Sequence, residues 1–159
     1  MSIGREQIYS SLFDLLVPLG PLGVGSPPMF NTVSRRVVPL SQLTPEMLPA
    51  LFQSVSPGES YVYRDLAISA PPVVTLYANL LIVNFFSAAV AQDVTPDTIV
   101  NNLMDQVEDA LQQPGGVDNQ TLGNLVEWAR LEGHMTELIP TSSGNWAIST
   151  MVVALLVNN

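Results

Sequence analysis

The chain has 159 residues, 47% of them hydrophobic, which is enough for a buried core and predicts one domain spanning 1–159. Its net charge is −9, with fourteen acids against five arginines, so tight binding to nucleic acid is not expected because phosphate affinity needs basic side chains. Neither Cys nor Lys occurs, which excludes disulfides, thiolate metal sites, a Schiff base and a Walker lysine.

The amino-terminal segment mixes charges and lacks a basic region followed by an apolar run, so we expect a protein that is not secreted. Residues 5–17 place Ile8, Leu12 and Leu15 or Leu16 on one side and predict a short amphipathic helix. The Pro and Gly residues of 18–28 then indicate an irregular connection within the domain.

The segment 30–38, FNTVSRRVV, predicts a strand that ends at Pro39. Arg35 and Arg36 lie side by side in it and would point to opposite faces. In a chain with so few basic residues, the pair indicates either an ionic contact with an acid of another subunit or partner, or ordinary solvated arginines. Arg35 and Arg36 are therefore the candidate interface residues.

Further short elements precede the longest apolar segment. The order Thr, Pro and Glu at 44–46 begins a helix that Pro49 limits to about a turn. The segment 50–56 predicts a strand, the sequence SPGE at 56–59 indicates a turn, and 60–65 would be the returning arm of a hairpin.

No charged residue occurs in 66–92, which leaves a membrane span and a buried strand as alternatives. Asn79 and Asn84 would lie in hydrocarbon, and Asp65 and Asp93 flank the run where Lys or Arg would be expected. We therefore predict a long strand over 73–86, buried on both faces, and no membrane association.

The segment 95–113 predicts an amphipathic helix that lies across a sheet. The Thr95 side chain can cap this helix, Pro96 suits its first position, and Pro114-Gly115-Gly116 is expected to end it. Its apolar stripe consists of Ile99, Val100, Leu103, Met104, Val107, Ala110 and Leu111. Asp105, Glu108 and Asp109 fall outside the stripe, where a solvated face is favoured over a cation site because the spacing is unlike that of a calcium loop.

Two further strands are predicted at 125–138 and 146–157, joined as an antiparallel hairpin by 141–145. The fold class is therefore α+β: an antiparallel or mixed sheet of four to five strands, with a helix packed across it and an N-terminal helix. The single histidine, His134, has no catalytic motif around it and is expected to be a strand residue with one exposed face. A small hydrolase would need a nucleophile brought beside it by the fold.

The order of segments resembles the tail terminator proteins of long-tailed bacteriophages, the minor tail protein U type. The residues that carry the resemblance are YSSLFDLL at 9–16, FNTVSRRV at 30–37, PALF at 49–52, PPVVTLYANLLIV at 71–83 and NQTLGNLVEWARLEG at 119–133. A different neck or completion protein of the head–tail junction is the alternative.

The resemblance implies a structural protein without catalytic activity or cofactor, found in the virion and, before assembly, in the host cytoplasm. It implies a homo-oligomeric ring, a hexamer, that binds the tail tube protein, stops tube polymerisation and meets the head connector or stopper protein. DNA would pass through the ring. Because the chain is acidic, Asp105, Glu108 and Asp109 become the candidate lumen wall, past which DNA slides without being held.

Overall fold

The computed structural model describes residues 4–23, 27–63, 71–88, 95–112 and 120–157, apart from the side chains at 56 and 57. Two helices and five strands follow one another as α1 (Arg5–Leu16), β1 (Thr32–Ser34), β2 (Ala50–Val62), β3 (Val73–Ser87), α2 (Pro96–Leu111), β4 (Trp128–Thr141) and β5 (Gly144–Val157). A 3₁₀ turn at Pro45–Met47 confirms the short element predicted there.

The five strands form one mixed sheet in the order β1-β2-β3-β5-β4. β1 pairs with β2 in parallel, and every other neighbouring pair is antiparallel. The sheet, its N-terminal helix and the helix packed across it confirm the predicted α+β class. β1 and β4 are the two edge strands.

β3 is the central strand, and its side chains alternate between two different environments. Val74, Leu76, Ala78, Leu80 and Ile82 are fully buried on the face that carries the helices, whereas the residues that alternate with them up to Leu81 are half-buried. The strand prediction is confirmed, but the prediction of burial on both faces is wrong, because the helices cover only one face. Within the described part of the chain no helix is long and apolar enough to cross a membrane.

The main core lies between this face and the two helices. α1 buries Ile8, Tyr9, Leu12 and Leu16, and α2 buries five residues of its predicted stripe: Val100, Leu103, Met104, Val107 and Leu111. The role predicted for the Thr95 side chain is wrong, since it makes no capping hydrogen bond. Its backbone carbonyl accepts from the Thr98 N–H instead, at 3.1 Å. The predicted stop at 114–116 lies outside the described residues.

A smaller apolar cluster covers one end of the opposite face. Ala50, Phe52 and Val83 are buried there beneath the connection between β1 and β2, which contributes Val38, Leu40, Leu43 and Leu48. Trp146 of β5 joins this cluster and packs against Phe85, with ring centroids 5.0 Å apart. The remainder of this face carries no second layer of helices in the part of the chain described.

Two predicted strand boundaries are wrong. The hairpin expected at 56–59 does not form, because β2 continues to Val62 along the same partner, β3. The residues of the expected turn form a bulge within β2 instead, and the pairing register with β3 shifts between Val55 and Glu59. The strand predicted over 30–38 contracts to the three residues of β1.

The beginning of β4 also differs from the prediction. The backbone turns at Leu122, Gly123 and Asn124, which all have positive φ, so the strand starts at Trp128 rather than at 125. Its hairpin with β5 is confirmed, with Thr141 paired to Gly144 at the turn.

Candidate functional site

The sheet is open, and its two edges differ in length and chemistry. At one edge, β1 covers only the first three residues of β2, Ala50–Phe52. At the other, β4 offers fourteen residues, of which Ala129 forms a bridge to Gln120 on the outer side. A long unpaired edge presents free backbone donors and acceptors to another polypeptide.

β4 is exposed on both of its faces over most of its length. From Glu132 to Leu138 each residue is exposed, including Met135 at 68% and Leu138 at 48%. Because α2 and the rest of the core cover only the beginning of this strand, these apolar side chains have no layer to pack on. β4 is therefore an exposed edge strand whose backbone and side chains are open to contact with another chain.

The β1 edge holds the two candidate interface arginines in different environments. The Arg35 guanidinium forms two hydrogen bonds with the Glu6 carboxylate of α1, the longer at 3.1 Å. This contact holds the pKa of Glu6 below its usual range. Arg36 is exposed, and no carboxylate among the described residues pairs with it. An intersubunit contact of either arginine stays a prediction, but Arg35 is already engaged within its own chain.

A second ion pair fixes α1 to the same side of the sheet. Arg5 donates to both Glu59 carboxylate oxygens, at 2.5 and 2.8 Å, and the Tyr61 hydroxyl donates to the same carboxylate. These hydrogen bonds lower the pKa of Glu59 to about 2. The first turn of α1 is therefore held to β2 by Arg5 and to the segment after β1 by Glu6.

A groove of about 350 Å³ runs between α2 and the beginning of β4. Asp105 and Glu108 line it from the helix, and Glu132 and His134 line it from the strand. No ion pair within the described chain engages any of its three carboxylates. The groove therefore concentrates negative charge beside the free β4 edge and favours a cationic side chain from outside.

The candidate lumen residues Asp105, Glu108 and Asp109 are all exposed on α2. This confirms that they form a solvated helix face, while their position in a lumen stays a prediction. No cluster of acidic or histidine side chains in the described chain has an arrangement that could hold a metal ion.

His134 is exposed on β4, as expected for a strand histidine. The groove beside it is lined by amide, thioether, carboxylate and apolar groups, and no serine or threonine of the described chain is among them. The nearby Thr136 and Ser149 hydroxyls are hydrogen-bonded to each other at 3.1 Å, and Ser149 also donates to the Met104 sulfur. Among the described residues, no hydroxyl group that could act as a nucleophile beside His134 lines the groove.

Sequence analysis did not single out Glu132 and Met135 as site residues. The sequence does contain an indication of the exposed edge: polar residues lie on both faces of the predicted strand, with Glu132 and His134 on one face and Glu137 on the other. A strand that is polar on both faces cannot be covered by a core and is typical of a sheet edge.

No protein-family model matches the chain, and no curated protein matches it. One solved structure that resembles it is a chain of the virion of a native gene transfer agent particle, with 14% sequence identity and a TM-score of 0.35. The alignment covers 97% of this chain and 91% of that one.

Proposed function

We propose that this protein is a structural component of a phage-like virion and acts as a tail terminator. Six copies form a closed ring that binds the last ring of the tail tube, stops its polymerisation and offers its other surface to the head connector. The ring is assembled from protein of the host cytoplasm and stays in the neck of the particle. No catalytic step or cofactor is part of this proposal.

The observation that carries the proposal is the pair of unlike, unpaired edges on one sheet. A ring with rotational symmetry uses a heterologous contact, in which one surface of each subunit meets a different surface of the next. The chain offers such a pair in the acidic β4 edge with Met135 and the β1 edge with its uncommitted Arg36. The segment order resembles that of tail terminators, and this resemblance is the reason for proposing that the ring lies at the end of the tail tube.

The charge of the chain fits a ring through which DNA passes. Six copies that each carry −9 bring about −54 to the ring. Asp105, Glu108 and Asp109 are exposed on α2 and could form its wall. An anionic wall repels phosphates and cannot displace the cations condensed on DNA, so DNA would traverse it without being held.

The test is tube polymerisation by the tail tube protein of the same particle, with and without this chain, followed by electron microscopy. We expect tubes of limited length that carry one ring at a single end, and a native mass of about 103 kDa for six copies of 17.2 kDa. Tubes that elongate equally in its presence and carry no ring would contradict the proposal. Binding to the connector alone would instead indicate another neck protein.

A further inference from the structure

The pairing register of the sheet relates positions on its two edges. Following the paired residues across the strands, Ser34 of β1 is level with Phe52, Leu81, Thr150 and finally Met135 of β4. By the same pairings, Thr32 is level with Glu137. A second copy placed beside the first at the same height would therefore bring its β1 against the exposed middle of β4.

The strand directions allow this contact to be a regular one. β1 runs parallel to β2, and three successive antiparallel pairings then separate β2 from β4. β4 consequently runs opposite to β1. A β1 strand laid on the β4 edge of a neighbour would form an antiparallel pair, and its hydrogen bonds would satisfy free backbone groups on both strands.

The charges agree with the same alignment. Arg36 follows the end of β1 by two residues, so in this alignment it lies towards the Glu132 end of the exposed β4 segment. Glu132 is exposed on β4, and Arg36 has no acidic partner among the described residues of its own chain. In this alignment the Arg36 guanidinium of one copy lies beside the Glu132 carboxylate of the next.

We infer that copies of this chain join head to tail, with β1 and Arg36 of one copy on the β4 edge of the next. The inference rests on the proposed ring and identifies its interface. Arg36 pairs with Glu132, and the contact covers Met135, which is exposed in the single chain. Opposite charges across the contact orient the copies and disfavour the pairing of two acidic β4 edges.

The test is a charge reversal on each side of the contact, with native mass as the measurement. Arg36→Glu and Glu132→Arg should each abolish the assembled ring, because the first places two acids together and the second places two cations together. The double variant carrying both changes restores the opposite pair and should recover the ring. Asp14→Arg is the control: it makes the same change of charge as Glu132→Arg at an exposed position of α1, outside both edge strands. Circular dichroism checks that each variant is folded.

A second measurement does not depend on charge. Because the chain has no Cys, the double variant Thr32→Cys and Glu137→Cys should form disulfides only between copies. Mild oxidation should give a ladder of linked species up to six on a non-reducing gel. Thr32→Cys combined with Asp14→Cys should give no such ladder.

The outcomes separate the interface from the proposed function. A ring that forms normally with both single reversals, or an assembled cysteine variant without a ladder, overturns the interface and leaves the tail terminator proposal standing. Single reversals that abolish the ring, with no recovery in the double variant, also overturn the pairing. An unaltered chain that forms no ring, alone or on tube ends, contradicts the proposed function and the interface with it.

Discussion

Replacing Leu80 by Asp should unfold the domain, whereas replacing its neighbour Asn79 by Asp should not. Leu80 is fully buried at the centre of β3, paired with Gln53 on one side and Met151 on the other. Removing most of a buried leucine costs about 2–5 kcal/mol in comparable cores. A carboxylate placed there lies in the main apolar core, where the neighbouring Gln53 amide already gives one of its two N–H groups to the Tyr9 carbonyl, at 2.8 Å. Burying it without a hydrogen bond adds roughly 2–7 kcal/mol.

The sum of these two costs is comparable with the whole stability of a domain, about 5–15 kcal/mol. Asn79 lies one residue earlier on the half-buried face, so the same carboxylate can reach water there and should cost less than about 1 kcal/mol. Urea unfolding followed by circular dichroism measures both variants. A folded Leu80→Asp protein with a near-normal unfolding midpoint, or equal losses in the two variants, would refute the assignment of faces.

Three further predictions concern the turn, the ion pairs and DNA. At Gly144, where φ is +150° and an added Cβ would lie 2.1 Å from the Phe86 oxygen, Gly144→Ala should lower the free energy of unfolding by about 1–3 kcal/mol or more. Gly58→Ala, with open space at the Cβ position, should change it little; equal effects would be inconsistent with the close approach. Because the pKa of Glu59 is lowered from 4.5 to about 2, the stabilisation from its carboxylate should be complete above pH 4.5 and disappear as the pH falls to about 2. The difference in melting temperature between the unaltered protein and Glu59→Gln should shrink over that range, and a difference independent of pH would argue against the contact. Gel-shift measurements should detect no duplex DNA binding by the unaltered protein at physiological salt and weak retention by a variant with lysine at positions 105, 108 and 109. Tight binding by the unaltered protein that weakens steeply with salt would show that its surface holds DNA.

The sequence predicted best the elements whose pattern is long and regular. The uncharged apolar run of β3 and the apolar stripe of α2 each favoured one kind of element, and both elements formed within a few residues of the predicted bounds. The hairpin at 56–59 failed because pairing along the whole of β3 outweighs a local Pro-Gly turn signal. Burial of both β3 faces failed because an apolar run does not reveal how many layers cover a sheet.

The site was predicted only in part, since its contacts join residues far apart in the chain. The scarcity of basic residues drew attention to Arg35 and Arg36, but the ion pair of Arg35 with Glu6 spans 29 positions and follows only from the fold. The edge position of β4 likewise depends on strand order, because β5 inserts between β3 and β4. Polar residues on both faces of β4 were the one local indication of its exposure.

Electron microscopy of the assembled particle tests the central proposal most directly. We expect one ring of six copies between the last ring of the tail tube and the head connector, with DNA passing through it in filled particles. The presence of the chain in the capsid shell or at the distal tip of the tail, or its absence from the particle, would contradict the account.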